Sequence, residues 1–92
     1  MYLEIVSPEA VLFSGEVDAV TVPGINGEFQ MLNNHAPIVS LLQAGTVKIN
    51  GTIEIEEDHQ DKFKKGDDSG SWLSINSGTI ELKENKIIIL AD

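Results

Sequence analysis

Residues 46–56 read TVKINGTIEIE. Val47 and Ile49 alternate with polar neighbours, Ile53 and Ile55 do the same, and Asn50-Gly51 stands between the two runs. A period of two marks a strand with one buried face. Asn-Gly between two such runs is the strongest short hairpin signal, because both central positions of a type I′ turn need positive φ. The stretch predicts a β-hairpin with Val47, Ile49, Ile53 and Ile55 turned to a core and Lys48, Glu54 and Glu56 turned outward.

The same pattern runs through the rest of the chain. Residues 2–6 stop at Ser7-Pro8, and 11–13 lead into Gly15. Residues 17–22 alternate with one slip near Asp18 to Val20, which predicts a bulge or a strand bending between two sheets. Beyond Pro23-Gly24 and Asn26-Gly27 come 28–32, then Pro37 and 38–42, ending at Ala44-Gly45. Three more strands are expected at 72–75, 79–82 and 86–90, with Asn76-Ser77-Gly78 and Glu84-Asn85 as turns, Asn85 suiting a left-handed position. Residues 57–70, EDHQDKFKKGDDSG, lose the alternation and hold Phe63 as their one large apolar group, so they are expected as a charged, solvated loop or extended hairpin tip. No segment keeps helical spacing long enough for a stable helix.

About ten short strands with regular punctuation imply an all-β fold, a flattened sandwich of two antiparallel sheets forming a single domain over residues 1–92. The inner faces would draw on Leu3, Ile5, Val20, Val22, Phe29, Val47, Ile49, Ile53, Ile55, Leu73, Ile80, Leu82, Ile87 and Ile89.

Composition narrows function. The 92 residues suffice for one modest core. Fifteen Asp and Glu stand against six Lys and no Arg, a formal net charge of -9, so a nucleic-acid backbone would be repelled. The missing arginine removes the usual bidentate clamp for phosphate. With no cysteine there is neither a disulfide framework nor a thiolate metal site. The opening MYLEIVSPEA lacks the basic start and apolar run of a secretory signal, and no run approaches the ~20 apolar residues that span a bilayer.

Catalytic chemistry has little to stand on. His35 has Glu28 as its only local carboxylate, and Ser40 lacks a Gly-x-Ser-x-Gly elbow, so a loop-capping histidine is the simpler reading of the residue alone. His59 lies among Glu56, Glu57, Asp58 and Asp61, yet the run has no second spaced histidine and no sharp-turn glycine of a calcium loop. No catalytic, cofactor-binding or metal-ligating residue is assigned. Trp72 in SWLSI would face opposite to Leu73 and Ile75 on a regular strand, placing it on an outer sheet face.

Taken in order, LEIVSPEAVLFSGEVDAVTVPGINGEFQMLNNHAPIVSLLQAGTVKI resembles the N-terminal β-domain of the epsilon subunit of F-type ATP synthases. The likeness rests on Val-Ser closing the first strand, Phe-Ser-Gly-Glu-Val, Val-Pro-Gly, Gly-Glu, His-Ala-Pro and a Gly before the next strand. The tail WLSINSGTIELKENKIIILAD is similar to that family's closing strands. The resemblance implies a non-catalytic rotor subunit of the central stalk, a sandwich packed on the gamma subunit and touching the ring of c subunits, without a cofactor. It would sit peripherally at the cytoplasmic face of a bacterial inner membrane, coupling a proton- or sodium-driven enzyme. Carried over by motif, Ser7, His35 and Ser40 are expected on the gamma-facing side, and Glu28, Gln30, Met31, Leu32 and Asn33 at the end facing the c-ring.

Three departures accompany the resemblance. Gln30, Met31, Asn33 and Asn34 stand where many relatives carry Gly and Pro, though Asn tolerates the left-handed conformations such a turn needs. Residues 57–70 have no obvious equivalent. The family's pair of C-terminal helices does not follow Asp92, which sets the expectation of a coupling subunit without the helical inhibitory region. The alternative is a stand-alone β-sandwich binding module with a protein or glycan partner.

Overall fold

The computed structural model describes residues 1–66 and 70–92. Among these residues ten strands are present: β1 (Tyr2–Val6), β2 (Val11–Glu16), β3 (Ala19–Gly24), β4 (Gly27–Leu32), β5 (Ile38–Leu42), β6 (Gly45–Asn50), β7 (Phe63–Lys65), β8 (Ser71–Ile75), β9 (Gly78–Lys83) and β10 (Lys86–Ala91). A 3-10 helix, Glu57–Lys62, precedes β7. The hydrogen-bonded order is β2-β1-β10-β9-β5-β3-β6-β8-β7, with β4 on β3. The ladder curls on itself, so that one layer built from β2, β1, β10, β9 and β5 faces another built from β4, β3, β6, β8 and β7 across a shared core. This is the all-β, two-layer architecture that the alternation implies.

The layers are joined through β3. Ala19–Thr21 pair with β6, after which Gly24 pairs with Leu42 of β5. Pro23 falls where the β6 pairing has ended, so its missing N–H costs no bond to β6, while its carbonyl accepts from Gln43 N at 2.9 Å. The expected slip near Asp18 is where the chain leaves the first layer for the second: Val17 N–H donates to the Met1 carbonyl and Asp18 N–H to that of Asn50, both at 2.8 Å. One pairing is parallel, β1 with β10, and the others are antiparallel.

The core is apolar throughout. Leu3, Ile5, Val20, Val22, Val47, Leu73, Ile80, Leu82, Ile87 and Ile89 are buried, as their alternation predicts, and no polar or charged residue among those described is buried. Each such side chain contributes about 1.5–3 kcal/mol. Phe29, Ile53 and Ile55 are only partly buried, packing against the edge of this cluster.

The Asn50-Gly51 hairpin does not form. Gly51 has φ +138°, but Asn50 is not in the positive-φ region, so a type I′ turn is absent. Both edges of β6 are already occupied, by β3 and by β8, leaving no ladder for residues 52–56. Those residues keep their alternation in burial without becoming a strand. Of the two forms expected for 57–70, the solvated loop and the extended hairpin tip, the second is closer: Glu57–Lys62 form the 3-10 helix and β7 then pairs antiparallel with β8, Phe63 with Leu73 and Lys64 with Trp72. Residues 67–69 lie outside those described.

Candidate interaction surfaces

Two surfaces emerge from these elements. The first is the outer face of the layer holding β1, β2, β5, β9 and β10. Directly paired residues share a face, and the register places Leu41, Thr79, Leu90, Val6 and Val11 in one row. Leu41 is 58% exposed, Leu90 52% and Val11 48%, and Val39 in the next row reaches 79%. A strand with one wet face should carry polar residues there. Here the outward positions of β5 and β10 are Val39, Leu41, Ile88 and Leu90 beside one polar residue, Lys86, and Val39, Leu41 and Leu90 are left exposed.

The second surface is the corner formed by β4 and residues 33–37. Among the described residues β4 pairs with β3 alone, which leaves its other edge open. Glu28, Gln30 and Leu32 point outward. Glu28 Oε2 meets Lys48 Nζ at 3.1 Å, an exposed pair worth at most about 1 kcal/mol. The same ammonium lies 4.9 Å from the centroid of the Trp72 ring, which is half-buried on the outer face between Lys48 and Lys64. Regular β8 geometry thus gives Trp72 the outward position its spacing predicts, with intramolecular cover.

The residues singled out by sequence divide between these surfaces. Ser7 is half-buried, its hydroxyl closing a tight turn by donating to the Ala10 carbonyl and accepting from Ala10 N–H, both 3.2 Å. His35 is exposed; its backbone N–H donates to the Leu32 carbonyl at 3.1 Å and its Nδ1 lies 2.7 Å from the Ala36 carbonyl. A carbonyl only accepts, so Nδ1 carries the proton in this arrangement. No catalytic geometry surrounds it. Ser40 is half-buried on the inward-turned side of β5, donating to the Leu41 carbonyl at 3.1 Å, while Val39 and Leu41 on either side of it face out.

Met31 requires a correction. It is wholly buried, because β4 alternates and Val20 opposite it is a core residue. Its side chain belongs to the core and presents nothing at the surface. Asn33 is exposed, but its Oδ1 accepts from Asn85 Nδ2 at 2.8 Å and from the Met1 amino group at 3.2 Å. His59 sits in the 3-10 helix with Nδ1 buried and unpartnered, and among the described residues no group of three His, Asp or Glu converges as a metal site.

Sequence reasoning passed over Val39, Leu41 and Leu90. Their signal was present: a strand apolar at consecutive positions has either two buried faces or an outer face with a partner.

The chain matches the profile of the family described as ATP synthase, Delta/Epsilon chain, beta-sandwich domain, over residues 1–92. It is 40% identical over 92 residues to the ATP synthase epsilon chain of Campylobacter concisus, covering 100% of this chain and 60% of the relative. Against the epsilon chain of Desulforamulus reducens it is 37% identical over 90 residues, covering 98% and 57%. The chain therefore spans about three-fifths of the length of the curated relatives it matches. Its fold is similar to a chain in the cryo-EM structure of the Tetrahymena thermophila mitochondrial ATP synthase, central stalk and c-ring, with a TM-score of 0.75 at 16% identity, covering 99% of this chain and 62% of that one. A chain of the Euglena gracilis mitochondrial enzyme gives 0.72 at 16% identity, with 97% and 48% covered.

Proposed function

Since the chain belongs to the ATP synthase delta/epsilon β-sandwich family along residues 1–92, we propose that it is a non-catalytic rotor component of the central stalk of an F-type ATP synthase. It links the gamma subunit to the c-ring, for assembly and for rotary coupling of ATP synthesis to proton or sodium flow. A rotor adaptor needs a rigid body with a separate face for each neighbour, and a curled two-layer sheet with a wholly apolar core is such a body.

The observation that carries this reading is the uncovered apolar row through Leu41 and Leu90, with Val39 beside it. Isolated exposed apolar residues are ordinary, but a row crossing several strands marks a protein interface. Gamma packs on this face through Val39 and Leu41 of β5, with Ser7 at one end of β1 and His35 in the loop before β5, while Ser40 between the two turns inward and supports them. The c-ring meets the corner presenting Glu28, Gln30, Leu32 and Asn33.

No helix among the described residues is long and apolar enough to cross a membrane. The subunit is held peripherally, at the cytoplasmic face of a bacterial inner membrane, by its two partners. Co-purification with the gamma subunit of the same organism tests the assignment: a stable complex at physiological salt supports it. A well-folded chain that binds neither gamma nor the assembled enzyme returns it to the class of stand-alone binding modules.

A further inference from the structure

Asn85 lies in the tight turn between β9 and β10, and Asn33 and Asn34 follow β4, about fifty residues earlier in the chain. The Asn34 backbone N–H donates to Asn85 Oδ1 at 2.8 Å. A backbone N–H can only donate, so it fixes which end of the Asn85 amide is the oxygen. The other end, Nδ2, then donates to Asn33 Oδ1 at 2.8 Å, and the Asn85 carbonyl accepts from Tyr2 N–H at 3.0 Å. One residue thus ties the start of β1, the β9–β10 turn and the loop after β4.

The loop is not in a conformation it would hold freely. Asn34 has φ +65°, a left-handed position that costs free energy for any residue with a Cβ. Glu84 and Asn85 also have positive φ, at 51° and 62°, giving the primed turn that suits a two-residue hairpin. That turn presents the Asn85 amide, and the amide in turn satisfies the N–H of the left-handed Asn34. His35 follows directly, its N–H bonded back to Leu32.

We propose that Asn85 is a positioning residue. Through its paired bonds to Asn33 and Asn34 it holds residues 33–35 in the one conformation that meets a partner subunit. It touches no partner itself. The partner arm of this inference rests on the stalk assignment above; the pin within the chain does not.

Asn85→Gly separates the two arms. Glycine accepts φ +62° without strain, so the turn survives while both side-chain bonds are lost. Amide exchange on the full chain should then be about tenfold faster at Asn34 and His35, with β9 and β10 unchanged. Affinity for the gamma and c-ring complex should fall about fivefold, because the loop must be ordered on binding. Asn85→Asp keeps the acceptor for the Asn34 N–H at a φ that aspartate tolerates while losing the bond to Asn33, so exchange at Asn34 and affinity should both fall between wild type and Asn85→Gly.

Unchanged exchange in Asn85→Gly overturns the pin. Faster exchange with undiminished binding overturns the claim that the pinned conformation is the binding one. Failure of the wild type to bind overturns the stalk assignment and with it the partner arm, and the exchange result still decides the pin.

Discussion

Leu41 and Leu90 flank Thr79 in one row across β5, β9 and β10, and both remain more than half exposed on the outer face. A face so placed contributes little to the stability of the isolated chain. Replacing both leucines with lysine should leave the unfolding free energy within about 0.5 kcal/mol per site, checked by urea denaturation. A loss of several kcal/mol would mean the row is internally packed and the interface assignment is misplaced.

Met31 and Leu32 are adjacent on β4 but face opposite ways. Met31→Ala should cost about 2–5 kcal/mol, since it opens a cavity beneath Val20, whereas Leu32→Ala should change stability little. Equal effects in denaturation would show the register of β4 on β3 to be wrong.

Residues 52–56 separate two readings of the same sequence. A two-residue Asn50-Gly51 hairpin would protect the amides of Thr52, Glu54 and Glu56, which would face Ile49, Val47 and Gly45; in the observed fold these amides meet no ladder partner among the described residues. Their exchange should be fast beside that of Val47 and Ile49, which lie in a strand paired on both edges. Gly51→Ala should destabilise by about 1 kcal/mol or more, because φ is +138° and the new Cβ would lie 3.1 Å from Asp18 N.

Gly78 opens β9 against the end of β10, where a Cβ would come within 2.5 Å of the Leu90 carbonyl oxygen. Backbone cannot swing aside as a side chain can. Gly78→Ala should therefore lower stability by more than about 1 kcal/mol in thermal or chemical unfolding, by forcing β9 and β10 apart.

Strand positions and most of the core were legible from alternation, because a period of two has one physical reading in a short segment bounded by turn residues. Glu84-Asn85 was legible for the same kind of reason, local geometry selecting residues that tolerate positive φ. Asn50-Gly51 misled because turn chemistry is a local preference, and the competition was settled elsewhere: β3 and β8 took both edges of β6. Phe63 to Lys65 became a strand against their composition because β8 offered a free edge. The family motif pointed to Ser40 on β5, yet alternation within that strand assigns the surface to Val39 and Leu41. The contact between Asn85 and Asn33 could not be read at all, since nothing in a single sequence brings together two side chains 52 positions apart.

The most direct test is the affinity of the gamma subunit from the same organism for the wild-type chain and for the Leu41→Lys, Leu90→Lys variant, both shown to be folded. The wild type should form a stable complex and the variant should lose at least about tenfold in affinity, since two lysines would be desolvated at the centre of the contact. Equal binding by both would contradict the assignment of the outer face of β5, β9 and β10 as the gamma surface.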